Sequence, residues 1–244
     1  MVNLVLNFRE IVEKMSVREL AGIIDHTLLK PDADYKLLEK YIEDTKKYSF
    51  KLLMIPLSLV ERVREIAGRS IEIGVVVGFP LGNTSTRVKT MEAVEAAELG
   101  VSEIDMVMNI NALKSGDFEL VAKDIRAVVE AAKKHGVGVV KVIIETGLLS
   151  DMEKVKATEI VADSGADFVK TCTGFLGGVA TVHDVALLYS AGRGRVKVKA
   201  SGGIRHALDA LAMISAGASR IGTSSGDKIV EEFIRLKERG IHYG

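Results

Sequence analysis

Four charged side chains of this sequence lie inside short apolar runs that are typical of buried strands. They are Asp105 in EIDMVM, Lys141 in VVKVII, Lys170 in DFVK and Lys199 in VKVKA. Burying an unpaired charge is costly, so such residues mark either a structural ion pair or a reactive centre. For lysines on neighbouring strands that end at the same rim, we favour the reactive centre.

Because side chains alternate between the two faces of a strand, the runs also predict which residues point the same way. Lys141 shares a face with Glu145, and Lys197 shares a face with Lys199. Lys170 shares a face with Phe168 and Cys172, while Val169 points the other way. The apolar residues between them suit a surface that packs against helices. We therefore expect several lysines and a few carboxylates in the interior.

Two lysines on adjacent strands are useful in catalysis. If Lys170 and Lys199 lie about 6 Å apart at an effective dielectric constant of about 20, they repel by about 2.8 kcal/mol, or about 2 pKa units. Burial acts in the same direction, so the pKa of a lysine falls from about 10.4 towards about 8. Such an amine is a nucleophile near neutral pH. The spacing alone does not say which lysine attacks.

An amine that attacks a carbonyl forms an iminium ion, which is an electron sink for breaking or making a carbon–carbon bond. The reaction also needs a group that moves a proton. Asp105 lies one or two strands away and is the candidate, acting directly or through a water molecule. No His, Cys or carboxylate cluster has the spacing of metal ligands. We therefore expect neither a metal nor a cofactor.

Two loops rich in small residues indicate a phosphate site. One is SGGIR at 201–205, after the run that contains Lys199, and the other is GTSSG at 222–226, before the last helix. Barrels commonly bind phosphate between the last two loops, through backbone N–H groups and a helix N-terminus. Ordinary turn glycines are the alternative for each loop alone. The candidate contacts are Gly202, Gly203, Gly222, Ser224 and Ser225.

The pattern of elements favours a closed TIM barrel, an α/β fold. Predicted strands cover residues 22–26, 52–55, 71–77, 103–108, 137–144, 167–171, 196–200 and 220–222. Amphipathic helical patterns lie between them. Eight β/α pairs in about 220 residues fit a barrel. An open doubly wound sheet would need fewer strands and a glycine-rich fingerprint after the first strand, which ends in DHT instead.

Nothing in the sequence marks a second domain. We expect residues 1–244 to form one barrel domain, with residues 1–15 as an additional N-terminal helix packed outside it. Helix N-caps are predicted at Asp34, Thr84, Asp117, Ser150 and Thr181.

Composition argues against several other classes of protein. The chain has 33 basic and 33 acidic residues with no block of like charge, which argues against a nucleic-acid partner. No run approaches the ~18 apolar residues of a membrane span, and the N-terminus lacks the pattern of a signal peptide. Cys172 is the one cysteine, so no disulfide forms within the chain and a cytoplasmic location is expected.

Seven motifs, in order along the chain, resemble those of the deoxyribose-phosphate aldolases. They are IDHTLLKP (24–31), GFPLG (78–82), EIDMV (103–107), KVIIETG (141–147), GADFVKT (165–171), KASGG (199–203) and RIGTSS (220–225). Any one is weak, whereas seven in order are specific. The resemblance implies a class I aldolase on a TIM barrel that reversibly cleaves 2-deoxy-D-ribose 5-phosphate to D-glyceraldehyde 3-phosphate and acetaldehyde.

The resemblance also implies roles for single residues. It makes Lys170 the Schiff-base lysine, Lys199 the lysine that perturbs it, and Asp105 the proton donor and acceptor. It further implies a phosphosugar ligand and a homo-oligomer. Around the substrate it implies Asp25, Thr27, Thr171 and Gly174.

Three features depart from the family pattern. Cys172 stands where many members carry serine, and the run at 52–57 is more apolar than usual. Phe175 stands where some members carry a phosphate-binding lysine, so phosphate binding should depend more on the last two loops. We do not expect Cys172 to be a nucleophile, because no histidine lies on an obvious partner strand end.

Two other functions compete with this interpretation. One is a class I aldolase that acts on another phosphosugar, such as a transaldolase-like or fructose-bisphosphate enzyme. The other is a phosphosugar-binding barrel without chemistry, although both lysines and Asp105 are intact. Among the histidines, His26 should face away from Asp25 and be structural. The histidines expected on helices or helix ends, in solvent, are His135, His183 and His206.

Overall fold

A computed structural model describes residues 8–239 of the chain. Eight parallel strands close into a barrel in the order of the sequence, so that β8 pairs with β1. This confirms the predicted TIM barrel. The strands are β1 (Ile24–Thr27), β2 (Leu52–Ile55), β3 (Ile73–Val77), β4 (Glu103–Val107), β5 (Val139–Ile143), β6 (Phe168–Lys170), β7 (Lys197–Ser201) and β8 (Arg220–Thr223).

Helices surround the barrel and connect its strands. They are α1 (Phe8–Lys14), α2 (Val17–Ala21), α3 (Tyr35–Tyr48), α4 (Val60–Ala67), α5 (Thr86–Glu98), α6 (Ile110–Lys114), α7 (Phe118–Lys134), α8 (Asp151–Asp163), α9 (Val182–Gly192), α10 (Ala207–Ser215) and α11 (Gly226–Arg239). Within residues 8–239, no helix combines the length and the apolar character that crossing a bilayer requires.

The N-terminal helix was expected over residues 1–15, and α1 and α2 occupy the described part of that region and its continuation. The end of α1 is tied to α11, because the Lys237 ammonium donates to the carbonyls of Val12 at 2.6 Å and Met15 at 2.8 Å. Residues 1–7 lie outside the described residues. The extra helix therefore packs on the outside of the barrel, as predicted.

Side-chain caps start the helices at four of the five predicted positions, which are Asp34, Asp117, Ser150 and Thr181. The prediction of Thr84 as a cap is wrong. Ser85 caps α5 instead, by accepting from the Val88 N–H. Thr84 and Ser85 both carry a hydroxyl group, and the backbone conformation decides which of them caps the helix. The backbone is extended at Ser85, as an N-cap requires.

The barrel interior is divided into an apolar half and a charged half. Strands β2 and β3 contribute Leu52, Met54 and Val76, and Phe79 packs over them. Gly74 leaves room for this packing, since a Cβ there would lie 2.7 Å from the Met54 Cε. The interior positions of β4 to β8 and β1 carry charged side chains instead, which places the chemistry on that side.

His26 faces outward from β1, away from the interior, as predicted. Its ring stacks on Tyr41 at 4.3 Å between centroids and lies 4.8 Å from Phe50. Neither ring nitrogen has a hydrogen-bond partner among the described residues, and Asp44 is 3.9 Å from the Nε2. Burial lowers the pKa of His26 from 6.5 to about 4.

We expect this histidine to make the protein sensitive to mild acid. The folded state takes up the proton less readily than the unfolded chain. The contribution of neutral His26 to the free energy of unfolding is therefore complete above about pH 6.5, and about 3 kcal/mol of it is lost as the pH falls towards 4. Urea unfolding at about pH 7 and about pH 4.5 measures the loss. His26→Phe should lose less stability between these values, whereas exposed His135→Gln should behave like the unaltered protein. Equal losses in both variants would contradict the assignment.

Candidate active site

Asp105 on β4 is the centre of a buried ionic arrangement. Its Oδ2 accepts hydrogen bonds from the Nζ of Lys170 at 2.8 Å and the Nζ of Lys199 at 2.7 Å. Its Oδ1 accepts one from Lys141 at 2.8 Å. Strand register brings the groups together, since Asp105 is paired with Lys141, and Lys170 with Lys199. The two lysines predicted to act as a pair thus contact the same carboxylate oxygen.

A second carboxylate, Asp25 on β1, lies on the other side of Lys199. Its Oδ2 accepts from the Lys199 Nζ, and its Oδ1 accepts from the Arg220 guanidinium at 2.8 Å. Glu103 contacts Arg220 at 2.9 Å and Lys141 at 2.6 Å. We call these side chains together the ionic cluster: Asp25, Glu103, Asp105, Lys141, Lys170, Lys199 and Arg220.

The ionic cluster holds four cationic side chains and three carboxylates. Most of it is dry: the side chains of Lys141 and Lys199 are 0% exposed, while that of Lys170 is 2% exposed. Lys51, at the solvent edge, lies 4.0 Å from Glu103 and adds a further positive charge. An unmatched positive charge in such surroundings is unfavourable. The arrangement therefore favours the loss of a proton from one lysine.

Burial lowers the pKa of Lys199 to about 8, although the carboxylates of Asp105 and Asp25 oppose the shift. Burial also disfavours the ionised form of Asp105, but the charges of the three lysines outweigh it and hold the pKa of Asp105 well below its usual range. The lowered pKa expected for one lysine of the pair thus falls on Lys199. Lys199 therefore loses its proton much closer to neutral pH than an ordinary lysine does, while Asp105 stays ionised.

A cavity of about 350 Å³ opens at the carboxyl ends of the strands. It adjoins the ionic cluster at Gly222, where a Cβ would lie 3.0 Å from the Lys199 Cε. Lys30, Phe175 and Arg205 also line it. The predicted substrate contacts that line the cavity are Thr27, Gly174, Gly202, Gly203, Gly222 and Ser224.

The two glycine-containing loops leave backbone donors unused at this cavity. Among residues 8–239, no hydrogen bond uses the N–H groups of Gly203 or Ser224. Gly202 and Gly203 have φ values of 105° and 76°, which residues with a Cβ rarely adopt. Helix α11 starts at Gly226, directly after the second loop. Free N–H groups and a helix N-terminus together suit an anion.

Three predicted contacts have partners within the protein. The Thr171 hydroxyl donates to the Ser201 carbonyl at 2.8 Å and accepts from the Ser201 N–H at 2.9 Å, which joins β6 to β7. The Ser225 N–H donates to the Thr223 hydroxyl at 2.9 Å. Asp25 is itself a member of the ionic cluster, where it accepts hydrogen bonds from Lys199 and Arg220. Thr171 and Ser225 therefore support the cavity from behind its lining.

Two residues that were expected in the interior lie outside the ionic cluster. Lys197 points inward as the alternation requires, but it is exposed because it lies at the amino end of β7, with its Nζ 5.7 Å from the centroid of the Phe168 ring. Glu145 lies beyond β5 with a φ of 53°, so the alternation stops before it. Its Oε2 accepts from the N–H and hydroxyl of Thr173, at 2.8 and 2.6 Å. Glu145 therefore holds the loop after β6 rather than joining the ionic cluster.

Cys172 and the exposed histidines behave as expected. The thiol is buried 3.2 Å from the Thr146 hydroxyl, and burial raises its pKa, which disfavours a thiolate nucleophile. His135, His183 and His206 are exposed on helices or at their ends.

Sequence reasoning did not select Glu103 or Arg220 as part of the site, and it noted Lys141 only as an inward residue. A signal was present, because Glu103 starts one charged strand and Arg220 starts another. Their contact joins residues that are 117 positions apart. The pair could not be predicted from the sequence, because only the closed barrel brings the two residues together.

The model of the DeoC/LacD family aldolases matches residues 22–232, which include every strand of the barrel and every member of the ionic cluster. The chain belongs to the DeoC/LacD aldolase family. The resemblance found in the seven motifs is therefore confirmed.

Named relatives within the DeoC/LacD family agree with this membership. The chain is 50% identical over 227 residues to the deoxyribose-phosphate aldolase of Caldanaerobacter subterraneus subsp. tengcongensis, covering 93% of this chain and 97% of the relative. It is 49% identical over 222 residues to that of Carboxydothermus hydrogenoformans, covering 90% and 97%. The tetrameric deoxyribose phosphate aldolase of Aeropyrum pernix superposes with a TM-score of 0.87 at 32% identity, covering 97% and 99%.

Proposed function

We propose that this protein is a deoxyribose-phosphate aldolase that reversibly cleaves 2-deoxy-D-ribose 5-phosphate to D-glyceraldehyde 3-phosphate and acetaldehyde. One observation carries the proposal: Lys170 and Lys199 share an oxygen of Asp105 next to a cavity with free backbone N–H groups. Membership of the DeoC/LacD family and the names of the relatives support the same reaction.

Lys170 is the nucleophile in this proposal. Of the three lysines in the ionic cluster it alone retains exposure, and among residues 8–239 its ammonium pairs with Asp105 alone. A pKa of about 8 lets Lys199 lose its own proton close to neutral pH, and the proton of Lys170 can then pass through the shared Oδ2 of Asp105 to Lys199. Lys170 is then an amine, and Lys199 carries the charge beside Asp25.

The neutral amine adds to C1 of the open-chain sugar to give a carbinolamine. Its hydroxyl group takes up a proton and leaves as water, which gives a protonated imine. A base removes the proton of the C3 hydroxyl, the C2–C3 bond breaks, and its electron pair moves towards the imine nitrogen to form an enamine. The C3 fragment leaves as D-glyceraldehyde 3-phosphate. Protonation at C2 and hydrolysis of the imine release acetaldehyde and restore Lys170.

Asp105 is the group that moves protons in these steps. It stays ionised at neutral pH and contacts both lysines, so it can take a proton from the substrate, through a water molecule, and return it to the enamine. Asp25 orients Lys199, and Thr27 supports this end of β1 by donating to the Asp25 carbonyl at 2.8 Å. The lysine iminium supplies the electron sink, so EDTA should leave activity unchanged.

The phosphate group of the substrate is assigned to the cavity between the last two loops. The N–H groups of Gly203 and Ser224 and the N-terminus of α11 would bind its oxygens, and Arg205 lies at the cavity edge. Phosphate held there positions C1 towards Lys170. Gly174 and Gly222 let the ligand approach the backbone.

We expect 2-deoxy-D-ribose without phosphate to be a poor substrate. Hydrogen bonds to a charged group contribute about 1.5–3 kcal/mol each, so losing them should lower kcat/KM by about 10²-fold or more. A coupled assay for acetaldehyde release from the two sugars measures this. Equal kcat/KM values would mean that the two loops are only turns. Cleavage of fructose 1,6-bisphosphate in place of the deoxy sugar would favour the competing aldolase class.

The remaining assignments are also proposals. We propose one barrel domain over residues 1–244 and a homo-oligomeric state, for which the tetrameric structure of the Aeropyrum pernix relative is the support. A buried free Cys172 suits a reducing compartment, so we place the enzyme in the cytoplasm. No role is assigned to Tyr243, near the end of the sequence, which lies outside the described residues.

A further inference from the structure

Arg220 and Glu103 form a pair at the amino end of the charged half of the barrel. The Arg220 guanidinium donates to Glu103 through both terminal nitrogens, at 2.9 and 3.3 Å, and to the Asp25 Oδ1 at 2.8 Å. Its guanidinium carbon lies over the Phe168 ring, 5.3 Å from the centroid. Such contacts on several sides fix the guanidinium in one orientation.

This pair lies away from the reacting atoms of the proposed mechanism. Neither Arg220 nor Glu103 lines the cavity, and neither contacts Lys170. They reach that lysine only through intermediates. Arg220 contacts Asp25, which contacts Lys199, and Glu103 contacts Lys141, which contacts Asp105.

The pair nevertheless affects the total charge that the lysines experience. The charged groups that face one another in the interior come from six strands: Asp25 on β1, Glu103 and Asp105 on β4, Lys141 on β5, Lys170 on β6, Lys199 on β7 and Arg220 on β8, with Lys51 at the edge. In surroundings of low polarity these charges interact over longer distances than in water. Removing either member of the pair changes the balance by one unit.

We propose that Glu103 and Arg220 are positioning residues that set the number of protons shared by Lys170 and Lys199, and thereby the pH range in which Lys170 is a free amine. This inference rests on the proposed Schiff-base mechanism. The positive charge of Arg220 lowers the pKa of the lysine pair and so favours the loss of one proton. The negative charge of Glu103 acts in the opposite direction.

Other features of the site agree with this division. Burial opposes the charged form of Arg220, but Asp25 and Glu103 outweigh it and raise the pKa of the guanidinium, so it never releases the proton itself. Likewise, burial opposes the charge on Lys141, and Asp105, Asp25 and Glu103 raise the pKa of that lysine. Arg220 and Lys141 are therefore permanent cations, and the proton is lost elsewhere in the cluster.

The test uses variants of opposite charge. Arg220→Met removes a positive charge, which should move the pH dependence of kcat/KM and of acetaldehyde trapping by borohydride about one unit to higher pH. Glu103→Gln removes a negative charge and should move both to lower pH by a similar amount. The double variant should return close to the original profile. Arg220→Lys keeps the charge and should shift the profile little.

Matched controls separate charge from damage to the fold. Arg195→Met removes an exposed arginine paired with Asp163, and it should leave the profile unchanged. If Arg220→Met does not fold, Glu103→Gln and Arg220→Lys still decide the matter. Shifts in the same direction for both single variants, or no shift in Glu103→Gln, would overturn the inference. Failure of the unaltered protein to trap acetaldehyde at any pH would instead overturn the proposed function.

Discussion

Replacing Lys170 by leucine is expected to abolish the trapping of acetaldehyde by borohydride at every pH from about 6 to 10, and to lower kcat by about 10⁴–10⁶-fold. The reason is that no iminium ion forms without the amine, so the electron sink is lost altogether. Mass spectrometry of the reduced protein, with mapping of any ethyl group to a peptide, measures this result. Exposed Lys123→Leu is a matched control that should trap normally.

Lys199→Leu is the informative comparison for this result. Lys199 accepts the proton of Lys170 in the proposed mechanism, so its loss should confine trapping and turnover to high pH without abolishing them. Trapping that persists in Lys170→Leu and disappears in Lys199→Leu would show that the two roles are reversed. Reversed roles are physically reasonable, because a lysine with a pKa of about 8 is itself a possible nucleophile. The comparison of the two variants therefore decides which lysine forms the iminium ion.

Asp105→Asn should lower turnover by about 10²–10⁴-fold, because the amide has nearly the same shape but cannot take up and return a proton. Steady-state rates with 2-deoxy-D-ribose 5-phosphate measure this effect. The change also leaves the buried cations of the cluster with two carboxylates, so thermal unfolding should be followed on the same preparation.

One result would argue against Asp105 as the proton-transfer group. Near-normal turnover in a folded Asp105→Asn variant would remove it from the mechanism. If Asp105→Asn does not fold, Asp105→Glu is measured in its place. This variant keeps the carboxylate and should retain more activity than a variant without one. Asp163→Asn changes an exposed carboxylate and should affect neither property.

The barrel and the lysine pair could be predicted because they depend on local patterns. Strand alternation alone indicates that Lys141, Lys170 and Lys199 share the interior, and the register of the strands confirms it. The outward position of His26 follows from the same rule. A period of two is preserved within each strand, whatever the strand is paired with.

Other parts of the site depend on contacts that no local pattern contains. Glu145 leaves the alternation because the chain turns to the left-handed region there, and its partner Thr173 belongs to another loop. The hydrogen bonds of Arg220 reach carboxylates that are 117 and 195 positions away. Which lysine has the lowered pKa depends on all of these charges together, so the sequence could predict only that one of the pair would.

The ion pairs around Asp25 have a consequence for how the enzyme acquires its activity. Lys199 and Arg220 reach this carboxylate across the seam between the last and first strands, over 174 and 195 positions of the chain. Contacts between such distant positions form only after most of the loop-closure entropy has been lost, and chains rich in them fold slowly. An unfolded chain therefore contains Asp25, Lys199 and Arg220 but none of the contacts between them. The buried surroundings that activate a lysine at this site therefore arise only when the ring of strands is complete.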